Sequence, residues 1–121
     1  MSILSSIMNI GGGGARRVGA TEAAQLVKEG KAVLVDVRDP GEWSSGVASP
    51  AALLPLGDLT GARKKWAPFL EKNKGKEIIL YCASGMRSGM AAGKLKKEGF
   101  EVANLGGFGA WASAGLPVRK G

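Results

Sequence analysis

Apolar runs of strand length recur along the chain, and segments of helical character lie between them. The runs at residues 32–37 and 78–80 are uniformly apolar, as is typical of strands that are buried on both faces of a sheet. Weaker strands are predicted at residues 17–19, 51–54 and 101–104. The alternation of strands with helices predicts an α/β fold with a largely parallel sheet.

Five helical segments are predicted between and after these strands. Thr21 can cap the first helix, and Gly30 and Gly99 can end the first and the fourth. Pro68 is expected to interrupt the third, because a proline inside a helix removes a hydrogen bond. The predicted helices cover residues 22–29, 40–45, 59–72, 88–98 and 110–114.

Large apolar side chains are expected to anchor the core, since aromatic residues supply much of the buried area of a small domain. Trp66, Phe69 and Leu70 are spaced to share one face of the third helix. Trp43 and Trp111 are interpreted in the same way, as core residues rather than ligand contacts.

The first fifteen residues are predicted to be a flexible segment that contains a glycine linker at residues 11–14. The segment lacks the basic start and the cleavage pattern of a secretory signal, and it is too short to span a bilayer. We therefore expect a cytoplasmic protein in which residues 16–121 form one domain. The apolar residues that would share one helical face of the segment are Ile3, Leu4, Ile7 and Met8.

The composition limits the chemistry that the chain can perform. With 121 residues, 45% of them hydrophobic, it has the size and composition of one globular domain. It contains one cysteine and no histidine. These counts exclude a disulfide framework within the chain, a zinc site of thiolate and imidazole, and any mechanism that pairs a nucleophile with histidine. No metal and no cofactor is expected.

The chain is basic, since 17 Lys and Arg against 10 Asp and Glu give a net charge of +7. Such a charge favours encounters with anions. The basic residues fall in helical or turn-like runs at 63–65, 72–76 and 94–97, and no aromatic residues alternate with them. We interpret the runs as solvated surface, so nucleic acid is not an expected partner. A monomer or a weak dimer is expected.

The single cysteine lies on the predicted turn between a buried strand and the next helix. Backbone N–H groups at the start of a helix lack partners within it, and the helix dipole adds positive charge there. Both effects favour a thiolate, and Arg87 in the same turn adds to them. The sequence therefore predicts an anion-binding loop with a sulfur nucleophile. Its residues are Cys82, Ala83, Ser84, Gly85, Met86, Arg87 and Ser88.

A lone cysteine can instead be an ordinary buried apolar residue. That interpretation does not account for Gly85, which lets the backbone approach a ligand closely, or for the charge of Arg87. It also leaves the two flanking residues Ser84 and Ser88 unexplained. We therefore favour a catalytic role for Cys82.

The segment at residues 82–88 resembles the active-site loop of the rhodanese-like sulfurtransferases. Residues 33–43 resemble that family's apolar-Asp-x-Arg segment with its later Glu and aromatic residue. Residues 104–118 resemble its carboxy-terminal signature, so the likeness covers about residues 17–118. It implies a rhodanese-like three-layer sandwich, with a central, largely parallel five-stranded sheet and helices on both faces.

The resemblance also implies a reaction, the transfer of a sulfane sulfur through a persulfide of Cys82. A small anion such as thiosulfate would be the donor, and a small thiol or a thioredoxin-like protein would be the acceptor. Arg87 would attract the sulfonate end of the donor or hold the shape of the loop. Ser84 and Ser88 could each donate a hydrogen bond, and Ser88 can equally be the N-cap of the next helix.

Three charged residues outside the loop are candidates for a supporting role. Asp36 ends an apolar strand, where a carboxylate needs a partner. It would either pair with Arg87 or the loop amides and pre-organise the site, or form a salt bridge that stabilises the fold, with Arg38 for example. Both alternatives stay open for Asp36, whereas for Arg38 and Glu42 we favour the fold-stabilising role.

The chain departs from the family at residues 46–51, where many members have Gly-His-Ile-x-Gly-Ala and this sequence has Gly-Val-Ala-Ser-Pro-Ala. The histidine is missing and the second glycine is displaced, which alters this segment but not the loop at Cys82. Gly106 and Gly107 are expected to form a tight turn beside that loop.

Two other functions compete with sulfur transfer. Dual-specificity phosphatases of related architecture place five residues between cysteine and arginine, whereas four separate Cys82 from Arg87 here. The smaller ring of amides suits a phosphoryl group poorly, and the loop contains no general acid. The second alternative is a non-catalytic interaction module, or a module that delivers persulfide sulfur to a particular partner. The net charge of +7 also permits sulfur donation to tRNA or to cofactor biosynthesis. The presence of Cys82 favours the enzyme.

Overall fold

The computed structural model describes residues 15–121. The predicted flexible segment and its glycine linker, residues 1–14, lie outside the described residues. No helix within the described range is long and apolar enough to cross a membrane.

Strands and helices alternate through most of residues 15–121, as the apolar pattern predicts. The strands are β1 (Arg16–Arg17), β2 (Ala32–Asp36), β3 (Val47–Ala48), β4 (Ala52–Leu53), β5 (Glu77–Cys82), β6 (Val102–Gly107) and β7 (Val118–Arg119). The helices are α1 (Ala20–Lys28), α2 (Pro40–Trp43), α3 (Leu56–Thr60), α4 (Trp66–Lys72), α5 (Met86–Lys97) and α6 (Phe108–Ser113).

Five of the strands form one sheet in the order β1-β6-β5-β2-β4, and each neighbouring pair is parallel. The two uniformly apolar strands, β2 and β5, lie inside the sheet, as their composition predicts. Because all five strands run in one direction, their carboxyl ends meet at one edge. In parallel sheets that edge is where ligands bind.

Helices cover both faces of the sheet, which confirms the predicted three-layer arrangement. Side chains of β5 alternate between the two faces, so that Leu80 and Cys82 point to one and Ile79 and Tyr81 to the other. The face that holds Cys82 packs against α3, α4 and α5, and the opposite face packs against α1 and α6. Trp66 and Trp111 are fully buried, one on each face, as predicted for core anchors.

The prediction of one helix over residues 59–72 is wrong, because the chain forms the two helices α3 and α4 there. The carboxylate of Asp58 accepts hydrogen bonds from the backbone N–H groups of Lys64, Lys65 and Trp66 at 2.9–3.0 Å. Asp58 therefore caps the start of α4 and separates the two helices. Pro68 does not break α4, since it lies in the first turn, where a missing N–H removes no helical hydrogen bond.

Other helix boundaries also differ from the prediction. The N-cap of α1 is Gly19 rather than Thr21, and α5 begins at Met86 rather than Ser88. Residues 46–51 contribute β3, which pairs antiparallel with β7 in a small second sheet that the sequence did not predict. The Tyr81 hydroxyl accepts a hydrogen bond from the N–H of Ala48 at 2.9 Å and joins this sheet to the core.

A buried ion pair holds the end of β2. Asp36 is fully buried, and its carboxylate accepts the backbone N–H of Arg38 at 2.8 Å and the guanidinium of the same residue at 2.8–3.1 Å. Arg38 also donates to the carbonyl oxygen of Gly46 at 2.7 Å, and its guanidinium lies 4.9 Å from the centre of the Phe108 ring. The pair therefore ties β2 to the small second sheet.

Replacing Arg38 with methionine should lower the free energy of unfolding by about 3–5 kcal/mol, because it leaves the buried Asp36 carboxylate without its counter-charge. Urea denaturation at neutral pH measures the change. The control is Lys74→Met, which breaks an exposed pair with Glu71 and should change stability by less than about 1 kcal/mol. Equal effects of the two substitutions would contradict this account.

Candidate active site

Cys82 is the last residue of β5 and lies at the carboxyl edge of the sheet, with its side chain fully buried. The chain then turns through Ala83, Ser84 and Gly85 into α5. Gly85 is the N-cap of α5 and has a φ of 99°, a left-handed conformation that favours glycine. A Cβ at Gly85 would also lie 3.2 Å from the Cα of Gly106. The turn thus depends on glycine for both its conformation and its packing.

Hydrogen-bond donors of the loop converge on the sulfur. The Gly85 N–H lies 3.0 Å from Cys82 Sγ, and the N–H and hydroxyl of Ser88 lie at 3.4 and 3.5 Å. Burial is the largest single effect on the Cys82 pKa and raises it. The donors of Ser88, Gly85 and Ser84 together outweigh burial, so the pKa of Cys82 is lowered overall. The loop therefore stabilises a thiolate.

The Ser88 hydroxyl has two acceptors but only one proton. It lies 2.8 Å from Asn104 Oδ1 and 3.5 Å from Cys82 Sγ. The carboxamide of Asn104 is oriented by the Gly106 N–H at 2.9 Å and the Gly85 carbonyl at 3.2 Å, so its oxygen faces Ser88. We expect the proton to lie with Asn104 while Cys82 is a thiol and to turn towards sulfur in the thiolate, because hydrogen bonds to charged acceptors are stronger.

Arg87 of the loop is bound by Glu42 of α2. Its two terminal nitrogens lie 2.7 and 3.0 Å from the two carboxylate oxygens, and the Asp39 carboxylate lies 3.8 Å away. The hydrogen bonds from Arg87 and from the Asp39 backbone lower the pKa of Glu42 to about 2. The pKa of Arg87 is raised, first by its hydrogen bond to Glu42. This pair fixes the guanidinium at the side of the loop.

The structure distinguishes between the alternatives for the supporting residues. Asp36 pairs with Arg38 rather than with Arg87 or the loop amides, which is the fold-stabilising alternative. Glu42, for which the sequence favours a fold-stabilising role, forms its ion pair with the loop arginine Arg87. Ser88 is not the N-cap of the next helix, since its hydroxyl is buried against Cys82 and Asn104.

Two features of β6 complete the site. Gly106 and Gly107 lie beside the loop as predicted, but the expected tight turn is wrong, because both residues pair with β5 and end strand β6, with an irregularity in that pairing. A Cβ at Gly107 would meet the Ala83 carbonyl oxygen at 2.6 Å, so no larger residue fits there. Asn104 is a site residue that the sequence does not single out. Its signal is a polar side chain near the end of a predicted strand that lies beside the strand of Cys82.

Comparison with known proteins relates the chain to one family. The sequence model described as the Rhodanese-like domain matches residues 19–114. A sulfurtransferase from Allochromatium vinosum is 39% identical over 88 residues, which cover 71% of this chain and 77% of that protein. An uncharacterised protein from Synechocystis is 39% identical over 98 residues, covering 79% of this chain and 51% of that protein. The chain thus spans about half the length of the latter relative.

Solved structures share the fold. A rhodanese-related protein from Thermoplasma volcanium has a TM-score of 0.71 and 30% identity, over 86% of this chain and 97% of that one. A Rhodopseudomonas palustris protein described as a possible tyrosine phosphatase has the same TM-score and identity, over 87% and 85% of the two chains.

Replacing Ser88 with alanine should raise the pKa of Cys82, because it removes the hydroxyl donor to the thiolate while keeping the backbone N–H. The pH dependence of alkylation by iodoacetamide measures the shift. Ser84→Ala is the matched control, since the Ser84 hydroxyl accepts from the Met86 N–H and the structure shows no hydrogen bond from it to the sulfur. An unchanged profile for Ser88→Ala, or an equal shift for both variants, would contradict this role.

The Glu42–Arg87 pair should contribute to the free energy of unfolding at neutral pH, and this contribution should be lost in acid. Because the pKa of Glu42 falls from 4.5 to about 2 on folding, its contribution is complete above about pH 4.5 and is lost as the pH falls towards 2. The pair is partly exposed, so we expect less than about 1 kcal/mol at neutral pH. Urea denaturation of the protein and of Glu42→Gln across this range should show the two stabilities converging as the pH falls. A constant difference would exclude the linkage.

Proposed function

Because the chain belongs to the rhodanese-like domain family, whose members include named sulfurtransferases, we propose that it transfers a sulfane sulfur through a persulfide on Cys82. The observation that supports this most directly is the convergence of loop donors on the Cys82 sulfur at 3.0–3.5 Å. Those donors lower the pKa of the thiol and so supply the nucleophile that the reaction needs.

In the first step, the Cys82 thiolate attacks the outer sulfur of a donor such as thiosulfate. The new bond joins the two sulfur atoms, the sulfur–sulfur bond of the donor breaks, and sulfite leaves with its electron pair. The persulfide that remains is an anion at the bottom of the loop. The backbone N–H groups of Gly85 and Ser88 already face the Cys82 sulfur, and fixed amide donors of this kind can stabilise the anion without reorganisation.

In the second step, an acceptor thiolate attacks the outer sulfur of the persulfide. The bond to the Cys82 sulfur breaks, and Cys82 leaves as a thiolate. The donors from Gly85 and Ser88 that activate the attacking thiolate also stabilise the same thiolate as a leaving group. One set of hydrogen bonds therefore serves both steps.

We assign Arg87 a positioning role. Both of its terminal nitrogens bind the Glu42 carboxylate, so the positive charge is offset and the orientation of the side chain is fixed. This arrangement supports the second of its two predicted roles, holding the shape of the loop. It connects α2 to the first turn of α5 and keeps the amide donors aimed at the sulfur.

The loop geometry disfavours phosphoryl transfer, even though one structural relative is described as a possible phosphatase. The backbone nitrogens of Gly85 and Ser88 lie 3.0 and 3.4 Å from Cys82 Sγ, so the loop donors closely surround a single sulfur atom. A loop with four residues between Cys82 and Arg87 leaves little room for the oxygens of a phosphate ester.

Mixing the purified protein with thiosulfate in the absence of reductant should add the mass of one sulfur atom. Intact-mass spectrometry measures the gain, and cyanide should remove it, because cyanide accepts sulfane sulfur. Cys82→Ala is the control, and it should fold normally and show no gain. A protein that gains no sulfur from thiosulfate and hydrolyses a phosphate ester instead would overturn the proposal.

A further inference from the structure

The surface of α5 beside the site carries two large exposed apolar side chains. Met86 is 76% exposed and Met90 is 64% exposed, more than any other large hydrophobic residue of the described range. They lie four residues apart and therefore share one helix face. Met86 is also part of the loop, since its N–H faces the Ser84 hydroxyl at 3.5 Å. The apolar surface thus begins at the mouth of the site.

A groove continues this surface along the helix. It has a volume of about 480 Å³ and lies between α3 and α5. Gly93 lies along the groove, and a Cβ there would meet no atom within 4 Å. The other residues that line it are Leu56, Thr60, Gly89, Met90, Lys94 and Lys97.

The far end of the groove is basic. Lys94 lies 3.8 Å from Glu98, whose carboxylate is already bound by Arg63. Lys97 is exposed, and within residues 15–121 no carboxylate pairs with it. With a net charge of +7, a second copy of this chain would be repelled from this end. An occupant with apolar and acidic side chains would complement the groove.

We propose that Met86, Met90 and the groove between α3 and α5 form the docking surface for an acidic protein segment that carries the acceptor cysteine. This inference rests on the proposed function. Cys82 is fully buried, so an acceptor sulfur has to enter past the loop, and Met86 is the large exposed apolar residue of that loop that the acceptor chain would cover. Apolar side chains would cover Met90, and carboxylates would reach Lys94 and Lys97.

The test uses two cysteine peptides as acceptors for the persulfidated protein. One peptide carries leucine, aspartate and glutamate beside its cysteine, and in the other lysine replaces each acidic residue. The peptide thiolate takes the outer sulfur, and Cys82 is released as a thiolate. Single-turnover transfer, followed by mass spectrometry, should be about tenfold faster to the acidic peptide at equal low concentration, a difference of about 1.4 kcal/mol.

Variants of the groove should abolish that preference without changing the transfer of sulfur to cyanide. Met90→Glu and Lys97→Glu each introduce a negative charge that repels the acidic peptide. Gly93→Leu fills the groove without a change in charge. Lys72→Glu is the matched control, because Lys72 is also the last lysine of its helix and the change in net charge is the same. It should keep the preference.

The outcomes separate the two proposals. If cyanide discharges the persulfide but the two peptides react equally, or if Lys72→Glu loses as much as Lys97→Glu, the docking surface is wrong and the proposed function stands. If no persulfide forms, the proposed function fails. Two further outcomes would overturn the inference. If the protein forms a dimer and Met90→Glu dissociates it, the surface binds a second copy of this chain. If the protein binds anionic vesicles and the groove variants weaken that binding, the surface binds a membrane.

Discussion

The site depends on a close approach between the loop after β5 and the end of β6. A buried sulfur can hold a negative charge only if N–H groups surround it, and those groups reach Cys82 because the loop backbone lies directly against the neighbouring strand. The space between them is too small for a side chain at Gly107, where a Cβ would lie 2.6 Å from the Ala83 carbonyl. The parallel sheet supplies the frame, since it brings the ends of both strands to one edge.

Two ion pairs from one short segment support this frame in different ways. The pair of Asp36 and Arg38 is buried and local, and it joins the end of β2 to the small second sheet. The pair of Glu42 and Arg87 is partly exposed and spans 45 residues of sequence, and it connects α2 to the loop. The first pair therefore belongs to the frame of the domain, whereas the second is in contact with the loop and has the positioning role proposed above.

The sequence predicted well those features that depend on residues close together in the chain. The apolar runs gave the inner strands, and the residues after Cys82 identified the loop, because its donors come from the same short segment. For Asp36 the sequence offers Arg38, two residues away, as one of two alternative partners, and only the fold selects between them. The partner of Glu42 was not predictable in this way, because its pairing with Arg87, 45 residues further along the chain, depends on how α2 lies beside α5. The role of Asn104 depends on the pairing of β6 with β5, and the cap that Asp58 provides depends on a turn without a recognised signature.

Helix α5 has one face that packs in the core and one face that is exposed to solvent. With about 3.6 residues per turn, it buries Ala91, Ala92 and Leu95 against the sheet and turns Met90, Lys94 and Lys97 outward. Substitutions on the outer face leave the core packing and the donors to Cys82 intact. If the outer face docks a partner as proposed, natural selection can change that partner without altering the residues around Cys82, so duplicated copies of one ancestor can diverge in their partners without passing through an inactive intermediate.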